Sequence, residues 1–318
     1  PIVDGVITSP AWGCAQYDLL PDGTIAYVPG GGGDSVVELA WGDPQGNLMP
    51  VGGPPQSYSS VTVAPDGLRA FFGVQFANDD IWMLDVERGS IAPFLTLDGN
   101  EFSPAISHDG RLIVFNSDRE GYYDLYLAQA DGTDSGELLV SDDANKEPFC
   151  FSPDDSTVLY TRADPETRGD LWLVPIEGER SPEPFLVTPA HEDGPDLSPD
   201  GRWIAYQSDD TGRFEIYVRP YPGPGPPIRI SEEGGLWPRW ATDGRTLYYR
   251  NAESLMAMPV EPGPKLRSGK ARAVLTVPGK VFGFDTHPDG RILLALSEGT
   301  AERSHEVRLL RGALAGRR

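Results

Sequence analysis

At 318 residues, 39% of them hydrophobic and 23% charged, the chain is long enough to bury one large core. Its formal net charge of −22 excludes a nucleic-acid-binding surface, which needs cationic groups to displace counterions from phosphates. No run reaches the roughly 18 apolar residues of a membrane span, and two cysteines cannot make a disulfide scaffold.

In chain order, the first predicted element is a short β-prone piece at residues 1–7 with no turn of its own. Gly13-Cys-Ala-Gln-Tyr17 then lead to Pro21-Asp22-Gly23. In this turn the proline presets φ, the aspartate accepts bonds from its own backbone, and the glycine tolerates the exit geometry. Apolar runs follow at 24–28 and 36–39, on either side of the glycine run 30–33.

This grammar recurs along the whole chain. The turn aspartates are Asp22, Asp66, Asp109, Asp154, Asp200, Asp243 and Asp289, spaced 44, 43, 45, 46, 43 and 46 residues apart. Each precedes a first apolar run (24–28, 68–72, 112–115, 158–160, 203–206, 246–249, 292–296). A second run follows each of these (36–39, 81–84, 125–127, 171–174, 216–218, 255–258, 307–310). A period of about 40–45 residues is that of a four-stranded propeller blade, and strands covered on both faces read as continuous apolar runs. The repeat predicts an all-β fold: residues 1–318 as a single seven-bladed β-propeller of four-stranded antiparallel blades. A six-bladed ring that leaves one repeat outside is the alternative. Residues 2–7 align with 272–277, the outer strand of the sixth unit. The N-terminal strand is therefore expected to pair with 307–310 and close the last blade, covering its edge.

The turn boxes, Ser117-Asp-Arg-Glu-Gly121 ahead of Asp124-Leu-Tyr126, and Phe214-Glu-Ile-Tyr-Val-Arg-Pro-Tyr-Pro-Gly223 together resemble WD-repeat-like bacterial propellers of the TolB type. More narrowly, the chain is similar to the C-terminal propeller region of bacterial serine/threonine kinase-like proteins. Gly13 to Tyr17 with Pro21-Asp-Gly-Thr-Ile-Ala-Tyr-Val28 fit that group's opening blade, and Gly234-Gly-Leu-Trp-Pro-Arg-Trp240 with Tyr248-Tyr-Arg-Asn251 fit a late one. The likeness covers the whole chain. It implies a propeller, an upstream kinase with linker and membrane helix, and a periplasmic or extracellular location. It implies little about function, because one fold hosts many activities. Beginning at Pro1, without a methionine or signal peptide, the sequence reads as a processed form or an excised domain.

One aspartate per repeat, always inside a turn, is a structural signature. Asp80, Asp124, Asp170 and Glu215 precede second strands and are expected to anchor hairpin loops. Cys14 and Cys150 fall ahead of different turn boxes, too far apart to bond, and are expected as free buried thiols. Of His108, His191, His287 and His305, only His191 is placed for a channel role. Gly-x-Ser-x-Gly, Gly-x-x-x-x-Gly-Lys-Ser/Thr, Cys-x-x-Cys and His-Glu-x-x-His are all absent, so no catalytic residue stands out.

Site candidates come from the connections that lead into each inner strand. Glu101, Glu147, Glu192 and Asp193 lie just ahead of three adjacent inner strands, and their convergence would make a hard-cation or amine site. Tyr58, Trp237 and Phe282 would add flat apolar surface, and Arg239 and Asp285 lie on the same connections. Ca²⁺ at the channel mouth is the one candidate cofactor. The expected function is a non-enzymatic binding module, monomeric as an isolated domain. It would be the sensory or scaffolding part of a larger bacterial protein, taking a small molecule, peptide or protein at the channel mouth. A channel-sited, metal-assisted carbohydrate lyase or hydrolase and a purely structural interaction ring are the alternatives.

Overall fold

The computed structural model describes residues 17–19, 25–27, 37–43, 46–53, 57–75, 78–251, 254–261, 263–276, 281–297 and 308–310. They belong to two compact units, Val37–Glu298 and a smaller one made of Pro1–Val36 with Gly299–Arg318.

The larger unit is an all-β propeller of six four-stranded antiparallel blades. Blade I runs Ser57–Val63, Arg69–Gln75, Asp80–Asp85 and Ser90–Leu95 from the inside outward, and blade II runs Glu101–Ile106, Leu112–Ser117, Asp124–Gln129 and Glu137–Val140. Blade III is Lys146–Phe151, Thr157–Asp164, Arg168–Pro175 and Glu183–Leu186, and blade IV is Glu192–Leu197, Trp203–Ser208, Glu215–Pro220 and Ile228–Arg229. In blade V, Leu236–Trp240, Thr246–Asn251 and Ser254–Glu261 are followed by two short segments, Arg267–Ser268 and Arg272–Thr276, that both pair with the third strand. Each inner strand packs on the next, and that of the sixth blade, Val281–Thr286, packs back on that of blade I, which closes the ring.

The turn boxes form as their residue types dictate. The six described aspartates each accept the backbone N–H of the residue two positions on: Asp66 from Leu68 (2.8 Å), Asp109 from Arg111 (2.9 Å), Asp154 from Ser156 (3.2 Å), Asp200 from Arg202 (3.2 Å), Asp243 from Arg245 (2.8 Å) and Asp289 from Arg291 (3.0 Å). Gly201 follows at φ 66°, in the left-handed region glycine enters at no steric cost. The apolar runs behind these turns are buried on both faces. Six separate cores result, one between each pair of neighbouring blades.

Blade VI corrects the expected count of seven. Its inner strands, Val281–Thr286 and Ile292–Ser297, come from the seventh repeat, and its outer strands, Val37–Gly42 and Leu48–Pro50, come from the first. The second run of the first unit is thus the closing strand, paired over six residues from Ile292↔Gly42 to Ser297↔Val37. Val37, Leu39 and Trp41 enter the core beside Leu293 and Ala295. A six-residue strand of this composition buries far more apolar surface than the expected partner run at 307–310 could supply. That run instead contributes Arg308–Leu310 to the smaller unit, a three-stranded antiparallel sheet ordered Tyr17–Leu19, Ile25–Tyr27, Arg308–Leu310. Residues 2–7, Asp22 and Cys14 lie outside the described residues.

Candidate functional site

The six inner strands share one irregularity. Each slips register against its neighbour, between Ser59 and Thr62, Phe102 and Ala105, Pro148 and Cys150, Asp193 and Asp196, Leu236 and Arg239, and Val281 and Gly283. Ser60, Ser103 and Trp237 sit in these bulges at φ 48°, 48° and 51°, a conformation that costs a side-chain-bearing residue on the order of 1–3 kcal/mol. A bulge re-aims the residues around it. Here the residue four before each turn aspartate faces the axis: Thr62, Ala105, Cys150, Asp196, Arg239 and Asp285 in order round the ring.

These positions line a central cavity of about 420 Å³. Its charged wall consists of Glu147, Asp196, Asp285 and Arg239, and its apolar wall includes Phe149, Trp237, Phe282 and Phe284. Asp196 accepts the Trp240 N–H at 2.6 Å and Asp285 accepts the Val63 N–H at 2.7 Å, each from the next blade. Ser103 donates to Glu147 at 2.7 Å and lies 3.4 Å from Ser60, which links three blades through hydroxyls. Burial pushes the Glu147 carboxyl up to about 7, with the Asp193 charge adding to it and the Ser103 bond and Arg239 opposing. Burial likewise raises Asp196 to about 6 and raises Asp285, while the Arg239 guanidinium pulls both back. Arg239 itself lies over the Phe149 ring at 6.0 Å. Three acids face Arg239, with the His108 imidazole also in the wall, so the cavity carries surplus negative charge once the acids are ionised and the imidazole is neutral.

The sequence-predicted residues divide into two sets by a single step in phase. Glu147 and Asp193 lie seven residues before their turn aspartates, and Glu101 and Glu192 lie eight before. Successive side chains of a strand point to opposite faces, so one step exchanges channel for blade interior. Glu147, Trp237 and Arg239 line the cavity. Asp193 stands beside Glu147 and is held by Thr161 Oγ1 and Gln207 Nε2, both at 2.9 Å. Glu101, Glu192 and Tyr58 are buried instead and form no part of the cavity wall. Ser117 donates to Glu101 at 2.7 Å, Thr188 to Glu192 at 2.7 Å, and Tyr58 packs edge-on against Phe72. The expected convergence of all four carboxylates is therefore corrected to that of Glu147 with Asp193.

His191 also lies off the cavity, its ring against Phe214. Cys150 is a free, half-buried thiol in the channel wall whose Sγ–H points to the Pro195 carbonyl at 3.6 Å; burial raises its pKa. Asp285 and Phe282, expected on the channel connections, do line the cavity, whereas Asp196 was missed, although its distance from the turn aspartate, shared with Asp285, was legible as a phase. Among the described residues no group of three His, Cys, Asp or Glu side chains could hold a metal, and no helix is long and apolar enough to cross a membrane.

The model of the TolB beta propeller domain matches residues 4–218, two thirds of the chain. The chain belongs to the TolB β-propeller domain family. A putative TolB from Agrobacterium tumefaciens has the same fold at a TM-score of 0.67 and 18% identity, covering 82% of this chain and 97% of that one. TolB from Acinetobacter baumannii follows at a TM-score of 0.59 and 14% identity, covering 92% and 80%. In sequence, the Uncharacterized peptidase YuxL of Bacillus subtilis (strain 168) is 26% identical over 204 residues, 49% of this chain. The TolB-type propeller described here spans only 31% of that relative's length.

Proposed function

We propose that this TolB-type propeller is a non-enzymatic binding module whose central cavity takes a ligand carrying a positive charge on a flat or apolar body. The observation that carries the reading is the cavity wall, where Glu147, Asp196 and Asp285 outnumber Arg239 beside Trp237, Phe149 and Phe282. In a site of lowered dielectric, ionised carboxylates attract a cation far more strongly than in water. The aromatic faces supply dispersion and cation–π contact. Arg239 holds Asp196 and Asp285 toward their ionised forms, which is what an incoming cation requires.

In this reading Glu147, Trp237 and Arg239 touch the ligand, Asp193 strengthens the negative field around Glu147, and Tyr58, Glu101 and Glu192 take no part in contact. The module would be the sensory or scaffolding part of a larger bacterial protein, periplasmic or extracellular, following a kinase-like region. That part of the proposal rests on family resemblance, and the full-length gene product decides it.

Arginine amide is a suitable probe, read by quenching of tryptophan fluorescence and by calorimetry, with citrulline amide as the neutral control. Saturable binding of the first alone, weakened tenfold or more by Asp196→Asn combined with Glu147→Gln, is expected. Equal binding of both probes, or no effect of the double substitution, would sink the proposal.

A further inference from the structure

Between blades II and III lies a buried ammonium. Lys146 is 1% exposed, and its Nζ donates to Asp124 Oδ1 (2.6 Å), the Ala144 carbonyl (2.6 Å) and the Asp142 carbonyl (3.2 Å). Measured back from the turn aspartate Asp154, these residues stand at 8 (Lys146), 30 (Asp124), 10 (Ala144) and 12 (Asp142). Counted back from Asp200, the same positions one blade on are Glu192, Asp170, Ala190 and Thr188. The counterpart of Asp124 and the two carbonyl positions are retained, the neutral Thr188 replaces Asp142, whose carboxylate also pairs with Lys146 at 2.8 Å, and a carboxylate stands where the ammonium was.

The backbone follows the same path at both junctions. The Ala144 N–H bonds to Asp142 Oδ1 at 3.0 Å, and the Ala190 N–H bonds to Thr188 Oγ1 at 3.1 Å. The Ala163 N–H reaches the Asn145 carbonyl, and the Asp209 N–H reaches the equivalent His191 carbonyl. Glu192 is 2% exposed and Asp170 4% exposed. Each has one oxygen satisfied, Glu192 Oε1 by Thr188 and Ser208 and Asp170 Oδ2 by Thr167. The other oxygens, Glu192 Oε2 and Asp170 Oδ1, are buried without a partner. Two half-satisfied buried acids are costly unless a positive charge joins them.

We infer that Glu192, Asp170 and the carbonyls of Thr188 and Ala190 form a binding site for a hard, oxygen-seeking cation of the Ca²⁺ class, at the place Lys146 Nζ fills one blade earlier. Two carboxylates and two carbonyls are the donor types such a cation selects, with water completing the shell. The cation neutralises the junction and joins the inner strand of blade IV to the third strand of blade III. The site is separate from the central cavity, whose wall includes none of these residues, and does not depend on the function proposed for it.

The test uses the full chain at pH 8, with ⁴⁵Ca²⁺ equilibrium dialysis and melting in millimolar Ca²⁺ against EDTA. The parent should melt several degrees higher in Ca²⁺. Glu192→Lys, which restores the ammonium of the neighbouring junction, should bind one equivalent fewer and match the Ca²⁺-loaded parent in EDTA. Glu192→Gln should also lose that equivalent, and covers the case in which the lysine variant fails to fold. Asp196→Asn with Glu147→Gln in the cavity should leave this equivalent in place. Unchanged binding in both Glu192 variants would overturn the inference. So would a parent that ignores Ca²⁺ but melts higher as the pH falls, because the two carboxyls would then share a proton.

Discussion

Glu147 and Asp196 titrate at about 7 and about 6 against ordinary values of 4.5 and 3.8, because burial disfavours their charged forms. Folding therefore favours the protonated acids. Their contribution to stability is full below about pH 4 and is lost as the pH rises through about 7. Glu147→Gln should melt with the parent at pH 4 and be more stable at pH 8, by on the order of 2 kcal/mol in urea titrations. The cavity's affinity for arginine amide should move the opposite way in the parent, rising between pH 5 and pH 8 as both acids ionise. An affinity that is flat over this range would remove these carboxylates from the site. The turn aspartates behave differently. Asp200 accepts Ser198 Oγ at 2.7 Å and the Arg202 N–H and forms no part of the cavity wall. Asp200→Ala should cost about 0.5–2 kcal/mol, by analogy with helix caps, and leave probe binding unchanged.

The inner strand is the element that joins fold and site. Its bulge brings the residue four before the turn onto the axis, and in blades II, III and IV its first residue, Glu101, Lys146 or Glu192, is a buried charged side chain. Lys146, in that first position, pairs with Asp124 and also with Asp142 at 2.8 Å. Lys146→Met should cost about 3–5 kcal/mol, because Asp124 would stay buried without its counter-charge. Replacing both as Lys146→Met with Asp124→Asn should recover much of that loss in denaturant melts. A single substitution as mild as a surface one would mean that the ion pair contributes nothing. The third-strand acids share this linking role. Besides Lys146, Asp124 accepts Ser141 at 2.8 Å, and Glu215 accepts Arg213 Nε at 2.7 Å as well as Ser231 Oγ.

Across the whole molecule, the closing blade joins the two ends of one unit. Val37–Gly42 covers Ile292–Ser297, whose Leu293, Leu294 and Ala295 are fully buried. A chain beginning at residue 51 would strip this cover and leave an open apolar edge. It should aggregate or lose its cooperative melt, as seen by size exclusion and calorimetry. A soluble monomer that melts like the parent would refute the closure.

Periodicity alone determined the propeller, because every blade must bury two faces behind one turn and so repeats the same residue types at the same spacing. The structural role of the turn aspartates was equally local, since Asp66 or Asp200 bonds a backbone group two residues away. Blade number was not local. Seven turn boxes were counted, yet six blades form, because Val37–Gly42 pairs with a strand some 250 residues on, where buried area decides the partner. The site followed the same rule. Glu147 was legible as an acid ahead of an inner strand, but so was Glu192, and one residue of phase sends the first to the axis and the second into the junction. Asp196 and Asp285 face the cavity only because six bulges shift the alternation, and a bulge is set by how neighbouring strands pack around the ring rather than by the residues within it.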